Sequence, residues 1–157
     1  MTWSDFEAAA PALAGAAKAR LEATRIALLG TIRADGSPRI SPVEPYFTSE
    51  QLLFGAMARS HKARDLARDS RCVLHSSVVD PNAGESEFKL YGTAVAAESA
   101  EAPADAWWLS HPPEAARVFA LQIDQAASVV WALARGELTV TIWSASGGLR
   151  QETRSYP

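Results

Sequence analysis

Tight-turn signals divide this chain into apolar segments whose connections are mostly too short to hold a crossover helix. Ala34-Asp35-Gly36-Ser37 and Arg135-Gly136-Glu137 are each typical of a hairpin turn between β-branched, apolar segments. Parallel strands need connections of a dozen or more residues, whereas neighbouring antiparallel strands need only a few. The sequence therefore predicts an antiparallel sheet and argues against a parallel β-α-β fold.

The apolar segments predict seven to eight short strands, an arrangement that favours a closed or partly closed antiparallel barrel. Two prolines in the second segment remove ladder donors, which suggests an edge, a bulge or a barrel rim there. The candidate strands are residues 25–33, 38–47, 51–57, 71–79, 87–98, 118–123, 128–134 and 138–143. The sequence thus predicts a mostly β domain with its strands joined largely by hairpins.

Helices are predicted at the N-terminus and at the periphery of the sheet. Residues 4–23 have helical apolar periodicity, Ser4 and Glu7 have capping-box spacing, and Pro11 is expected to divide the segment. A short helix is predicted at residues 61–69. Residues 101–117, with two adjacent tryptophans and two adjacent prolines, are expected to form a helical or irregular crossing, and residues 80–86 a loop.

Composition limits the class of protein. A length of 157 residues with 48% hydrophobic residues indicates one globular domain over residues 1–157. A net charge of −3 argues against a nucleic-acid partner, and no apolar run is long enough to span a membrane. Cys72 is the only cysteine, which excludes an internal disulfide. Since the N-terminus also lacks signal-peptide features, we expect a soluble, cytoplasmic protein without a membrane partner.

The most informative segment for function is the start of the helix predicted at residues 61–69. Ser60 is a good N-cap, and Arg59, His61 and Lys62 place basic side chains around the first turn. Cations are disfavoured there because the helix dipole already puts positive partial charge on the free N–H groups. An anion such as a phosphate would complete the arrangement, whereas the alternative interpretation is a solvated basic turn.

Other polar residues give weaker signals. His75 is interpreted as a packed or hydrogen-bonded strand residue and His111 as a surface-loop residue. Cys72 is interpreted as a small core residue, because no partner arrangement supports a nucleophile. Three scattered histidines without paired carboxylates predict no metal site, and residues 144–148 lack nucleotide-binding spacing.

Three motifs, in order and at characteristic spacing, resemble the pyridoxamine 5'-phosphate oxidase-like family of flavin-binding proteins. They are GTIRADGSPRISPV, LLFGAMARSHKARDLARDSRCVL and KLYGTA, all between Leu29 and Ala94. A looser similarity covers LTVTIWSASGGLR, which begins at Leu138. The resemblance implies an antiparallel split β-barrel of six to seven strands with an N-terminal helix and short peripheral helices. It also implies a homodimer that holds its cofactor, flavin mononucleotide (FMN), at the interface between the subunits.

Together, the resemblance and the helix-dipole argument lead us to expect seven residues at the cofactor. The flavin ring is expected against the second and third strands, and the phosphate at the start of the helix. The residues assigned to the ring are Ser41, Val43 and Met57, and those assigned to the phosphate are Arg59, Ser60, His61 and Lys62. The phosphate residues that match the family pattern, Ser60, His61 and Lys62, are among those selected independently by the helix-dipole argument.

The sequence also departs from the family pattern. Where the oxidase itself carries an arginine and a lysine on its second strand, this chain has Ser41 and Tyr46, and the oxidase's C-terminal substrate signature is absent. The sequence looks closer to an actinobacterial branch that uses FMN or the deazaflavin coenzyme F-420. We therefore expect an oxidoreductase acting on a small organic substrate. The alternatives are a deazaflavin-dependent reductase, a flavin carrier without turnover, and a family member that binds no cofactor.

Overall fold

The computed structural model of the chain describes residues 1–77, 86–98 and 102–156. In these ranges there are three α-helices and nine β-strands. The helices are α1 (Trp3–Ala9), α2 (Pro11–Thr24) and α3 (His61–Arg68). The strands are β1 (Ala27–Ile32), β2 (Pro38–Val43), β3 (Pro45–Phe47), β4 (Leu52–Met57), β5 (Arg71–Ser76), β6 (Ser86–Ala96), β7 (Ala116–Ala132), β8 (Glu137–Ser144) and β9 (Gly148–Ser155). Over the same ranges, no helix has the length and apolar character needed to cross a membrane.

The described strands pair in antiparallel fashion, as the short connections predict, in the order β2-β1-β5-β6-β7-β4-β3. Strand β7 is where the sheet divides. Its residues 116–120 pair with β4, and its residues 125–132 pair with β8, which in turn pairs with β9. Because β4 and β8 occupy different halves of one edge of β7, the sheet separates into a barrel and a hairpin extension. The predicted split β-barrel is thereby confirmed, with more strands than the six to seven expected.

The prediction of one strand over residues 38–47 is wrong. Strand β2 ends at Val43 and pairs with β1, whereas β3 begins at Pro45 and pairs with β4 at the other end of the strand order. Pro45 has no N–H to donate, so a ladder that reached this point would lose a hydrogen bond there. The chain turns a corner at Glu44, and one continuous segment supplies the strands at both ends of the order from β2 to β3.

The prediction of two strands over residues 118–123 and 128–134 is also wrong, because β7 is continuous through this region. Ile123 pairs with Gly92, and Gln125 pairs with Tyr91, so Asp124 is the additional residue of a β-bulge. The bulge shifts the alternation of buried residues by one position: Ile123 and Ala126 are both fully buried. The two-residue alternation of buried and exposed side chains therefore fails at Asp124. In the sequence, this failure resembles a break between two separate strands.

Other boundaries are closer to the prediction. The strands predicted at residues 25–33, 51–57 and 138–143 correspond to β1, β4 and β8, and the helix predicted at residues 61–69 corresponds to α3. Strand β9 was not predicted, because all eight of its residues are exposed and carry no apolar alternation. Of the loop predicted over residues 80–86, only Ser86 is described, and it begins β6. Residues 78 and 79 of the strand predicted at 71–79 also lie outside the described ranges.

The N-terminal helical prediction is confirmed, with the expected division at Pro11. The cap differs, however, because Thr2 and Asp5 form the capping box in place of Ser4 and Glu7. The Asp5 N–H donates to Thr2 Oγ1 at 3.2 Å, and the Thr2 N–H donates to Asp5 Oδ2 at 3.0 Å. Both boxes have the same spacing, so the sequence alone could not separate them.

Aromatic side chains attach α1 to the barrel. Trp3 and Phe6 are 1% and 0% exposed, although they belong to a seven-residue helix at the chain terminus. The Trp3 ring lies 4.6 Å from that of Phe47, and the Phe6 ring lies 4.9 Å from that of Trp143. Burial of such large rings stabilises a helix that is too short to be stable alone.

Replacing Gly92 by alanine tests the bulge. A Cβ at this position would lie 1.8 Å from the Gln122 carbonyl oxygen, a backbone atom. We expect Gly92→Ala to lower the free energy of unfolding by at least about 1–3 kcal/mol, measured by urea denaturation. The control is Gly15→Ala in α2, where a Cβ meets no atom within 4 Å and the helix should gain up to about 1 kcal/mol. A Gly92→Ala protein as stable as the wild type would contradict the described register.

Candidate functional site

A cleft of about 730 Å³ opens where β2 and β4 end beside the start of α3. Its opposite wall is a 3-10 helix, Trp107–Ser110, with the turn that follows it. The cleft is lined by Ile26, Pro42, Val43, Glu44, Gly55, Met57, Ala58, Arg59, Lys62, Trp107, His111, Glu114 and Ala115. It therefore combines segments that are far apart in the sequence, and most of its lining is apolar.

Four of the residues singled out from the sequence line this cleft: Val43, Met57, Arg59 and Lys62. The first two belong to the apolar part of the lining. Val43 is buried at 4% exposure, whereas Met57 is 64% exposed at the end of β4. The cleft is thus floored by the barrel and open to solvent at Met57.

The other three, Ser41, Ser60 and His61, do not line the cleft. Ser41 pairs with Leu29 in the ladder between β1 and β2. Ser60 Oγ accepts a hydrogen bond from the Ala63 N–H at 3.3 Å, so it caps α3 as predicted and its hydroxyl hydrogen can still be donated. His61 is exposed at the first position of α3.

Lys62 lies at the basic end of the cleft. Its Nζ donates to the Pro42 carbonyl oxygen at 2.6 Å, which directs the half-buried side chain from α3 across to the end of β2. Burial lowers the pKa of this amine. Among the described residues, neither Lys62 nor Arg59 has a carboxylate within ion-pair distance. A partly desolvated cation without a counter-ion is a good partner for an incoming anion.

Asp65, the acidic residue in the middle of α3, is neutralised by other groups. Its Oδ2 accepts from Arg39 Nε at 2.6 Å and from Thr31 Oγ1 at 3.0 Å, and Arg68 lies 3.6 Å from Oδ1. Burial opposes ionisation of Asp65, but the hydrogen bonds from Arg39 and Thr31 outweigh it and lower its pKa. This network fixes α3 to β1 and β2. It also leaves the charge of Lys62 uncompensated by the carboxylate on the same helix.

The wall opposite α3 depends on a glycine. A Cβ at Gly55 would lie 2.4 Å from Trp108 Cε3 and 3.0 Å from Trp107 Cζ2. The two indoles therefore pack directly on β4 because position 55 has no side chain. Trp107 faces the cleft, whereas Trp108 is 3% exposed and does not line it.

Tyr46 links this wall to the corner between β2 and β3. Its hydroxyl donates to Glu44 Oε2 at 2.7 Å, and its ring lies 4.9 Å from Trp108. Burial and the hydrogen bond to Glu44 raise the pKa of Tyr46 to about 12, against the effect of a backbone hydrogen bond from Trp107. Tyr46 thus holds the wall of the cleft.

His111 is an exposed loop residue, as predicted, but it also lines the cleft. Its Nδ1 lies 2.9 Å from the Trp107 carbonyl oxygen and 3.1 Å from Ser110 Oγ, and these contacts hold the ring against the 3-10 helix. The sequence did not indicate this position, because no local pattern joins residue 111 to α3.

The remaining candidates stay outside the cleft. His75 Nδ1 lies 2.6 Å from the Ser76 carbonyl oxygen within β5, consistent with a hydrogen-bonded strand residue. Burial raises the pKa of the Cys72 thiol to about 12, so this cysteine is unsuited to nucleophilic chemistry. In the described part of the chain, no cluster of three or more potential metal ligands occurs.

Residues 13–130 match the family model described as "Pyridoxamine 5'-phosphate oxidase". No curated protein sequence matches the chain.

Solved structures share the fold at low identity. A pyridoxamine 5'-phosphate oxidase-related, FMN-binding protein from Nostoc punctiforme is 14% identical, with a TM-score of 0.60 over 93% of this chain and 96% of that one. PhzG from Burkholderia lata, in complex with tetrahydrophenazine-1-carboxylic acid, is 13% identical, with a TM-score of 0.65 over 92% and 89%. A heme-binding protein from Mycobacterium smegmatis is 15% identical, with a TM-score of 0.59 over 90% and 88%.

Removal of the Asp65 charge tests the anchoring of α3. Asp65→Asn leaves Arg39 without its carboxylate, so we expect the free energy of unfolding at pH 7 to fall by about 2–4 kcal/mol. Because the folded-state pKa of Asp65 is lowered, its contribution is present above the unfolded pKa of about 3.9 and is lost as pH falls through the folded pKa. The difference in the free energy of unfolding between variant and wild type, measured by urea denaturation, should therefore become smaller as the pH falls below about 4. The control is Glu50→Gln at an exposed position, which should change neither the free energy of unfolding at pH 7 nor its dependence on pH. If the difference in the free energy of unfolding between Asp65→Asn and the wild type did not depend on pH, the proposed network would be contradicted.

Proposed function

Because the chain belongs to the pyridoxamine 5'-phosphate oxidase family, we propose that it is a flavin-binding oxidoreductase that holds FMN in the cleft. One observation carries the proposal: an apolar cleft ends at Lys62, a half-buried cation that has no carboxylate of the described residues within ion-pair distance. Mononucleotide flavins have the complementary chemistry, a planar ring system joined through a ribityl chain to a phosphate. The match in both polarity and charge supports this cofactor class.

The residues of the cleft fit the two ends of the cofactor. The apolar side chains of Val43, Met57 and Trp107 offer a surface to the ring, and a cleft of about 730 Å³ is within the range of small-molecule sites. Lys62 and Arg59 offer charge-assisted hydrogen bonds to the phosphate. The N–H groups of His61 and Lys62 have no intrahelical acceptor, whereas that of Ala63 is capped by Ser60 Oγ, and the dipole of α3 adds to the attraction.

A bound flavin would supply the redox chemistry, by accepting or donating a hydride. The contribution of this chain is binding, orientation and exclusion of water. Val43 and Trp107 offer apolar surface that keeps water from the part of a ligand lying against them, and Lys62 and Arg59 set the orientation of an anionic ligand. We assign no catalytic side chain, and the substrate is a small organic molecule of undefined class.

The deazaflavin coenzyme F-420 shares the ring shape and a phosphate, so the same cleft could take it in place of FMN. Two measurements distinguish the alternatives. Titration with each cofactor, followed by absorption and fluorescence, gives the preference. The rate at which the reduced, bound cofactor passes electrons to added acceptors, compared with the rate for free cofactor, separates an oxidoreductase from a carrier.

A homodimer with the cofactor at its interface is the second part of the proposal. The face of β7 and β8 that points away from the core carries Val129, Trp131, Leu138, Val140 and Ile142, none of them fully buried. Directly opposite residues of an antiparallel pair share a face, so Val129 and Val140 lie side by side. We name these five residues the outer apolar face. Strand β9 flanks it with Arg150, Glu152 and Arg154, and β6 flanks it with Glu87 and Lys89.

An apolar surface with charges of both signs at its margins is self-complementary about a twofold axis. A second copy of the chain would cover it with chemistry of the same kind. The opening of the cleft at the exposed Met57 leaves room for a partner subunit to complete the cofactor site.

Substitution of Lys62 tests the phosphate site. Lys62→Met removes the charge but keeps the aliphatic stem, and it should weaken binding of FMN about ten- to a hundred-fold by loss of a charge-assisted hydrogen bond. The stability of the cofactor-free protein should change by less than about 1 kcal/mol, because loss of the Pro42 hydrogen bond is offset by removal of a cation from a helix N-terminus.

The control is Lys18→Met, which makes the same change on α2, where Lys18 lies over the ring of Phe47. It should leave the affinity for the cofactor unchanged. If Lys62→Met binds both FMN and coenzyme F-420 as tightly as the wild type does, the phosphate site is excluded.

Two substitutions on the β8–β9 hairpin test the dimer. Ile142 belongs to the outer apolar face and is 39% exposed, whereas Leu149 is 58% exposed and pairs with Trp143 on the opposite face. We expect the wild type to sediment as a dimer of 16.8 kDa subunits at micromolar concentration. Ile142→Asp should dissociate it, and Leu149→Asp should not. A monomeric wild type, or equal effects of the two variants, would refute the proposed interface.

A further inference from the structure

Charge is unevenly distributed along this chain, and basic residues gather beside the cleft. Residues 59–71, which run from the turn after β4 through α3 to the start of β5, include five basic and two acidic residues. Their formal charge is therefore +3 in a chain whose total is −3, and the remaining residues carry −6. The segment at α3 is thus opposite in sign to the rest of the chain.

The exposed side of α3 carries three basic side chains and no acidic one. His61, Arg64 and Arg68 are exposed and follow one another at intervals of three and four residues, so they share one face of the helix. Ala67 is the fourth exposed residue of this helix. We name His61, Arg64 and Arg68 the basic face of α3.

Arg64 connects the basic face with the cleft. Its Nη2 donates to the carbonyl oxygen of Arg59 at 2.9 Å, and Arg59 lines the cleft. Arg64 itself does not line the cleft, so it lies at the rim, outside the site to which we assign the phosphate. No carboxylate of the described chain lies within ion-pair distance of Arg64. Its guanidinium is therefore held beside the cleft with its charge free to act on a ligand in solution.

The two carboxylates of the segment are engaged by other groups. Asp65 is buried and accepts hydrogen bonds from Arg39 and Thr31. Asp69 accepts from Arg71 at 2.7 and 3.0 Å, so these two opposite charges largely cancel each other at a distance. The field outside this part of the molecule is consequently set by the basic face and by the cations of the cleft.

A charge at the rim of a binding site acts on a different rate constant from a charge inside it. A rim charge attracts an oppositely charged ligand before contact and raises the association rate constant, whereas a desolvated partner of the ligand mainly lowers the dissociation rate constant. Arg64 is exposed at the rim, and Lys62 is half-buried in the cleft. The two cations should therefore differ in their kinetic effects.

We propose that the basic face of α3 is an electrostatic capture surface, which draws phosphate monoester dianions such as FMN from solution into the cleft. This role rests on the proposed function, because the cleft is the site to which the ligand is delivered. The basic face forms no lasting bond with the ligand. It selects phosphorylated ligands from neutral ones by the rate at which they arrive, and Lys62 adds to that selection once they are bound.

Stopped-flow measurement of FMN binding to the cofactor-free protein tests this role. Flavin fluorescence gives the association and dissociation rate constants separately. The association rate constant of FMN should fall at least about tenfold when the ionic strength rises from about 0.01 M to about 1 M, because the screening length shortens from about 30 Å to about 3 Å. Riboflavin has the same ring and ribityl chain but no phosphate, and its association rate constant should change by less than about twofold.

Charge reversal at two positions separates the basic face from the net charge of the chain. At about 0.01 M ionic strength, Arg64→Glu should lower the association rate constant of FMN at least about threefold and leave the dissociation rate constant within about twofold of the wild-type value. The control is Arg135→Glu, which makes the same change in net charge at an exposed position. Strand β7 pairs with the cleft residue Met57 at Ala116 and ends at Ala132, so Arg135 lies at the far end of a strand roughly 50 Å long. This control should leave both rate constants unchanged.

Lys62→Met provides the kinetic contrast. Because Lys62 is assigned to the bound phosphate, its replacement should raise the dissociation rate constant at least about tenfold, an effect that Arg64→Glu should not have.

Three results would overturn the capture role of the basic face. These are an association rate constant of FMN that does not depend on ionic strength, equal effects of Arg64→Glu and Arg135→Glu, and an effect of Arg64→Glu on the dissociation rate constant alone. Failure of the proposed function has a different signature, because the wild type would then show no saturable binding of FMN at any ionic strength, and the capture role would be refuted with it.

Discussion

One continuous segment supplies the strands at both ends of the barrel's strand order, and the rest of this structure depends on that constraint. Strand β2 ends at Val43 and β3 begins at Pro45, and these strands lie at opposite ends of the strand order. The peptide bonds at Glu44 therefore hold the barrel closed where hydrogen bonds do not. Because the cleft is lined by Pro42, Val43 and Glu44, the corner that closes the barrel also forms the candidate site.

The distribution of charge around α3 follows from packing against that sheet. Asp65 is turned inward, where Arg39 and Thr31 fix the helix to β1 and β2. Its carboxylate is consequently unavailable to Lys62, whose amine reaches the end of β2. The helix thus uses its anion for stability and presents to the cleft a cation that pairs with no carboxylate among the described residues. A stabilising network and a binding site are here two consequences of one helix orientation.

A glycine and two tryptophans form the wall of the cleft opposite α3. Because Gly55 has no side chain, Trp107 and Trp108 pack directly on β4. Tyr46 holds the 3-10 helix that carries them, since its ring contacts Trp108 and its hydroxyl is fixed by Glu44. Trp107 then lines the cleft, whereas Trp108 is buried and does not line it. Through these contacts Tyr46 supports a wall of the cleft.

The sequence by itself determined what local rules control: the tight turns, the break at Pro11, the Ser60 cap and the cations at the start of α3. It could not separate β2 from β3 or join the halves of β7, because the corner at Glu44 and the bulge at Asp124 are defined by pairing with distant strands. Only the tertiary structure brought Trp107 and His111 to the cleft and turned Asp65 away from Lys62. The physical reason is that the hydrogen bonds of caps and turns are made between residues close together in the sequence. Burial of a side chain and compensation of its charge depend instead on which distant segments pack together.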